Sequence, residues 1–274
     1  MIKRIVVGLI GSNLSQAATE TAITWARLYG IELLAIAVID ADRLTGAQSV
    51  PLGESAFKAD CDTHLLREAH AEADKGLADL AELAKRRHVA CQTRRRDGDP
   101  AKVLLEESQR GDLLLIGYNG ASNADKQSFI LETLLRSATR PIVVAPANGI
   151  TAAETALVAY DGSPESAKSL QMFTSLGLAS NRIVHLLSVS DEEELRASVD
   201  LAADFLRLHG QQVQVHKKSA HGAAGEVILS EAERCGAGVI VMGAYGRGRV
   251  AELLLGSVTK HVISHTHVPL FLYH

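Results

Sequence analysis

The stretch RIVVGLIGSNLSQAA (residues 4–18) recurs as TALVAYDGSPESAKS (155–169), an apolar run closing on a Gly-Ser turn, with Ile10 opposite Asp161 at a spacing of 151 residues. The spacing holds at the next apolar run, where LLAIAVID (33–40) meets IVHLLSVSD (183–191) with Val38 opposite Val189. It drops to 126 at LLLIGYNGAS (113–122) against VIVMGAYGRG (239–248), with Gly117 opposite Gly243, and is 128 for Pro141 against Pro269 in the closing runs RPIVVAP and VPLFLY. Self-similarity of this length means two copies of one supersecondary plan. The first copy carries about 25 extra residues, 151 minus 126, which read as a loop-like insertion, DADRLTGAQSVPLGESAFKAD, after Ile39.

Within each copy apolar runs alternate with helical periodicity. The first copy reads as strands at 4–9, 33–39, 89–93, 113–117 and 142–145, with helices at 15–29, about 64–87, 100–109 and 129–138. The second repeats the order, with strands near 156–160, 183–188, 212–216, 239–243 and 270–273. Strands alternating with helices imply right-handed crossovers and a parallel sheet covered on both faces. The fold class is therefore α/β, two tandem Rossmann-like domains of five strands each, at 1–147 and 154–274 and joined near Ala147 to Ala153. Aromatic residues are 4% of the 274 and apolar residues 47%, so the core falls to Ala, Val, Ile and Leu, as expected of helices on buried parallel strands.

A net charge of −4 gives no electrostatic reason to bind nucleic acid or an anionic membrane. No stretch approaches the roughly 18 apolar residues that span a bilayer, and MIKRIVVGLIGS reads as a first strand in a cytoplasmic protein, not as a signal segment. Cys61, Cys91 and Cys235 are widely spaced and form no CxxC pair, which points to idle reduced thiols. Charged stretches such as 85–88, 94–96 and 192–194 fit solvated helix faces and loops.

In an open parallel sheet, ligands bind beyond the carboxyl ends of the strands, where strand order reverses. The segment after the fourth strand of the second copy, GAYGRGRVAELLLGSVTKHVI (243–263), has the chemistry for an anion. A Gly-x-x-Gly turn lets backbone amides approach without Cβ obstruction, and Gly-Ser opening a helix adds unpaired N–H donors, a hydroxyl and the positive end of the helix dipole. Arg247 and Arg249 stand either to add charge-assisted contacts or to be merely solvated, and the glycines could equally be plain turn residues.

Gly243, Gly246, nine residues, then Gly256-Ser257 resembles the G-2x-G-9x-G-(S/T) signature of ATP-binding universal stress proteins. The resemblance runs through both copies, including VAYDGSPESAKSL and the closing VPLFLY, so the whole looks like a tandem universal stress protein. It implies a strand order of 3-2-1-4-5 in each domain, with ATP over the first and fourth strands and Mg²⁺ allowed beside the phosphates. It further implies that Asp161 contacts the nucleoside and that backbone beside Val189 recognises adenine. Gly243 and Gly246 would approach ribose and phosphates, while Gly256, Ser257 and Val258 hold the phosphate chain; Arg247 is counted with them for its charge alone. For Asp161 a plainer role stays open, since an Asp before Gly-Ser-Pro can simply accept backbone N–H bonds and shape the turn.

The first copy departs from this pattern. Ile10 replaces the Asp; Gly117 and Gly120 survive, but only seven residues separate Gly120 from Ser128-Phe129, which stand where Gly-Ser belongs. A bulky Phe there is expected to remove a donor and fill the space, so the first copy is read as holding no ATP. Both closing strands read as apolar edge strands, hazardous if unpaired. By resemblance the two copies form an internal pseudo-dimer, with further pairing of chains to a homodimer allowed.

His261, His265 and His267, and likewise His216 and His221, suggest metal binding only weakly, because no carboxylate or thiol in the stretch completes a set. No GxxxxGK[ST], GxGxxG, GxSxG or HExxH is present. Rapid phosphoryl transfer needs more than a cradle. The expectation is an ATP-binding, non-enzymatic stress-response regulator with slow or absent hydrolysis and an unknown protein partner. The alternatives are a nucleotide-free scaffold using its helical faces or the segment Ala47–Lys58, and a genuine ATPase.

Overall fold

The structure is a computed structural model and describes residues 1–10, 16–46, 55–118, 124–147, 154–180, 182–219, 223–245 and 255–274. In the first copy, β1 (Arg4–Ile10), β2 (Glu32–Ile39), β3 (Cys91–Asp97), β4 (Leu113–Tyr118) and β5 (Ile142–Pro146) are joined through α1 (Gln16–Tyr29), the short α2 (Ala41–Leu44), α3 (Ser55–Arg86), α4 (Pro100–Ser108) and α5 (Ala124–Ser137). The second copy has β6 (Thr155–Ala159), β7 (Ile183–Val189), β8 (Gln212–Lys218), β9 (Ile240–Gly243) and β10 (Leu270–Tyr273). Its helices are α6 (Pro164–Ser175), α7 (Glu193–Leu208), α8 (Ala224–Arg234) and α9 (Ser257–His265).

The strands form one ten-stranded sheet ordered β3-β2-β1-β4-β5-β10-β9-β6-β7-β8. Each half is parallel in the order 3-2-1-4-5. The halves meet through the antiparallel pair β5–β10, with Leu270 opposite Val144, Phe271 opposite Val143 and Leu272 opposite Ile142. The two apolar closing strands thus cover each other. Side chains alternate between sheet faces, and each face carries a core running through both copies. One, under α1, α3, α6 and α7, includes Trp25, Leu80, Phe173 and Val199; Phe173 meets Phe271 edge to face. The other, under α4, α5, α8 and α9, includes Leu104, Leu134, Ile228 and Val262. The copies are also tied by the Tyr29 hydroxyl donating to Leu178 O at 2.8 Å and the Ile2 amide donating to Leu176 O at 2.9 Å.

Helix starts follow local chemistry. Asp99 caps α4 by accepting from the Lys102 amide, and Ser163 caps α6 by accepting from the Ser166 amide, each with a proline in the first helical position. The insertion after Ile39 is less loop-like than its composition suggests. It contains α2, capped by Asp40, and α3 begins at Ser55, nine residues before the expected start. Of the segment 47–58 considered as a partner surface, 47–54 lie outside the described residues and the rest belongs to α3. The strand expected at 89–93 runs over Cys91–Asp97, and two of its three arginines are held at the sheet edge by ion pairs, Arg95 with Asp74 and Arg96 with Glu107 on α4. Burial pushes the Cys91 thiol up to about 11, which leaves it unreactive at neutral pH. Among the described residues, no helix is long and apolar enough to cross a membrane.

Candidate functional site

In the second copy the strand order reverses at β6, which has β7 on one side and β9 on the other. Beyond the carboxyl ends of these strands lies a cavity of about 340 Å³, within the range of small-molecule sites. It gathers Asp161, Val189, Gly243, Gly256, Ser257 and Val258, six of the eight residues singled out from the sequence. Gly246 and Arg247 lie outside the described residues, as do Arg249, His221 and Gly120 of the first copy.

Asp161 follows β6 and divides its labour. Its Oδ1 accepts from the Ser163 amide at 3.0 Å and from the Ser163 hydroxyl at 2.6 Å, while Ser163 Oγ accepts from the Ser166 amide at 3.2 Å. The turn-shaping role is therefore real. It occupies one carboxylate oxygen, and the half-buried residue lines the cavity.

Gly243 ends β9. A Cβ built there would lie 2.9 Å from Glu165 Cβ and 3.0 Å from both the Glu165 carbonyl carbon and the Ser166 amide nitrogen, so the residue is glycine first because α6 packs on it. Its carbonyl accepts from the Thr259 hydroxyl at 3.4 Å, tying β9 to α9. Helix α9 opens with Gly256 as cap, which makes no side-chain hydrogen bond. The first-turn amides of Ser257, Val258 and Thr259 have no intrahelical acceptor, and the cap residue takes none of them. They form a row of donors at the positive end of a helix, facing a cavity.

The opposite wall is apolar: Leu187 and Val189 from β7, Met242 from β9, and Ala224 and Ile228 from α8. Tyr245 closes the side, set edge-on to His274 at 6.0 Å, and burial pushes its phenol up. Val189 aside, the sequence does not mark these wall residues, nor Ser166 and Thr259. As ordinary apolar and hydroxyl residues they give no local signal; their spacing along strand ends is the one clue. The cavity has a flat greasy wall, one carboxylate and an amide-lined helix start, a donor set suited to a nucleoside carrying phosphate.

The first copy is built differently at the matching place. Phe129, aligned with Ser257, sits inside α5, which already starts at Ala124. Phe129 is 65% exposed and fills no cavity, so the expectation that its bulk blocks the site is corrected. The helix has grown backward past the aligned start, so the amides at 128–130 fall within its interior. Ser128 Oγ meets the Tyr118 hydroxyl at 3.2 Å.

Three of the histidines, His216, His261 and His265, have neighbours of their own. His261 presses its ring on Gly225 of α8, where a Cβ would come within 2.6 Å of it, and His265 Nδ1 lies 2.8 Å from His261 O. His216 pairs with His185, a residue not noticed in the sequence. Among the described residues no group of three or more His, Cys, Asp or Glu could hold a metal ion.

The family model described as the universal stress protein family matches residues 1–146 and again 153–274. A universal stress protein of Mycolicibacterium smegmatis is 28% identical, the match covering 97% of this chain and 95% of that protein. One from Synechocystis sp. is 27% identical over 58% of this chain, which spans 56% of the relative's length. Among solved structures, a universal stress protein from Archaeoglobus fulgidus superposes with a TM-score of 0.72 at 21% identity, covering 98% of this chain and 95% of that one.

Proposed function

Because the chain belongs to the universal stress protein family through both of its halves, we propose that it is a nucleotide-dependent regulator that holds ATP in its second copy. One observation carries this reading: residues from four separate segments, Asp161, Val189, Gly243 and Gly256 to Val258, converge on a single cavity at the strand-order reversal. Adenine lies against Leu187, Val189 and Ile228, the ribose hydroxyls face the unspent oxygen of Asp161, and the phosphates meet the first amides of α9. Arg247 adds charge, and Mg²⁺ accompanies the phosphates.

Among the described residues Asp161 is the sole carboxylate lining the cavity, and one of its oxygens is committed to Ser163. A site so furnished has no positioned general base, so hydrolysis is slow or absent and the nucleotide acts as a signal. The reading takes the cytoplasm as the place where the regulator works; the apolar run at 4–10 is the buried strand β1 between β2 and β4.

Titration of the full chain with a fluorescent ATP analogue tests the reading. Saturable binding well below millimolar is expected, with adenine nucleotide found by mass spectrometry in the purified protein. Absence of binding near 1 mM would sink it, and turnover above roughly 1 per second, in the range of true kinases, would replace a switch with an enzyme.

A further inference from the structure

Helix α8 forms one wall of the cavity through Ala224 and Ile228. One turn beyond Ile228 it carries Glu231 and Arg234, which clasp the outer strands. The Arg234 guanidinium donates to Glu231, and Glu231 Oε1 lies 3.3 Å from His216 Nδ1 on β8. His216 Nε2 is in turn hydrogen-bonded to His185 Nδ1 on β7 at 2.9 Å, the rings lying within 10° of parallel. His185 is 7% exposed and Glu231 4%. Two residues along β7 on the same face, Leu187 lines the cavity. At its other end α8 abuts α9 through Gly225 against the His261 ring.

The first copy has the same clasp without the histidines. Leu34, 151 residues before His185, is buried in its place; Arg94 occupies the register position of His216; and Glu107 on α4 pairs with Arg96 and Arg110. Arginines stay charged at every physiological pH, so the clasp on α4 has fixed cations where that on α8 has imidazoles.

We propose that the buried His185–His216 pair is a proton-operated latch beneath α8: a second proton parts the two rings, which join β7 to β8, and leaves two cations under the helix beside Arg234 and Lys218, so that acidification favours lifting α8 and loosens the cavity it walls. A single proton sits between His185 Nδ1 and His216 Nε2. Charging both rings would set two N–H groups head to head, so the second proton breaks the bond. The charged and titratable groups facing the pair are Glu231 and Arg234 of α8 and Lys218 of β8, with Cys235 at the end of α8 and His261 of α9 against its other end. Burial holds both imidazoles below their ordinary range; for His185 the neighbouring His216 and Arg234 add to this, whereas for His216 Glu231 opposes it. A base with a lowered native pKa binds fewer protons folded than unfolded. Its stabilisation is therefore full above about pH 6.5 and is lost as the pH falls from there towards the native value.

Amide hydrogen exchange on the ligand-free full chain, followed by mass spectrometry and corrected for intrinsic rates, tests the latch without nucleotide. Opening of residues 224–234 should rise by up to about tenfold per pH unit for each linked proton below about pH 6.5, while residues 100–108 of α4 do not follow. His185→Leu, the first copy's own choice, should flatten the response. Equal responses of α8 and α4, or an unchanged slope in His185→Leu, would overturn the proposal. Should that variant fail to fold, NMR titration of the unmodified protein decides: both rings titrating near 6.5 and independently overturns it, lowered and coupled titration supports it. The link to the cavity rests on the ATP reading. Affinity for the ATP analogue should fall in step with α8 opening, and constant affinity while α8 opens breaks that link. Failure to bind nucleotide at any pH removes the ATP reading alone.

Discussion

The helix after the fourth strand begins at Ala124 in the first copy and at Ser257 in the second, although the closing prolines Pro141 and Pro269 align the two chains 128 residues apart. The first helix has 14 residues and the second 9. Winding the connection into helix satisfies the very amides that the second copy leaves beside a cavity, so a small change in where a helix starts sets the two copies apart at this place. Around it the two copies keep the same strand order, the same cores and the same helix-borne carboxylate clasp.

The sharpest way to break this contrast is Gly256→Val. A branched side chain at the mouth of α9 should displace the phosphates from at least two charge-assisted contacts of roughly 1.5–3 kcal/mol each, an affinity loss of about 100-fold or more in the analogue titration, with the circular dichroism spectrum unchanged. Retained binding would place the ligand elsewhere. Next in size is Gly243→Ala. Its Cβ meets the backbone of Glu165 and Ser166, and overpacking of about 1–3 kcal/mol should lower Tm in calorimetry by roughly 2–4 °C per kcal/mol. No change would mean that the glycine serves the ligand alone.

Asp161→Asn separates the two roles of that side chain. The amide oxygen can still accept from Ser163, so Tm should hold, while a donor now replaces the acceptor facing the nucleoside and affinity should fall about tenfold, near 1.4 kcal/mol. A drop in Tm with affinity unchanged would reduce Asp161 to a turn former. The smallest effect is expected from Phe129→Ser. The residue is exposed, so stability should change by no more than about 0.5 kcal/mol. A serine inside a continuous helix should create no second nucleotide site, and two-site binding in this variant would refute helix extension as the reason for the asymmetry.

Much of this was legible in the sequence because it is written in local patterns. The apolar runs at 5–9, 33–39 and 113–116 can be little other than buried parallel strands, and the glycine spacing from Gly243 to Gly256 marks a backbone-lined turn. What the residues alone could not convey depends on tertiary contacts. The early start of α3 comes from exposed helix-forming residues without an apolar stripe, and β3 runs through three arginines because β2 offers a partner and Asp74 and Glu107 offer counter-charges. The wall formed by Leu187, Ile228 and Met242 exists only once β7, α8 and β9 are assembled. His185 looks like a stray polar residue in a strand until His216 is placed opposite Leu187, beside it.

Joining β5 to β10 also decides what the molecule shows at its two outer rims. The strands spent in the join, IVVAP and LFLY, are the greasiest termini of their copies; those left outermost, CQTRRRD and QVQVHKK, are polar and basic. A foreign strand docking on either rim would have to strip water from long cationic side chains and break their pairings with acidic neighbours. Growth by strand addition is thereby capped at ten, and the chain is protected against the aggregation that an open parallel sheet invites.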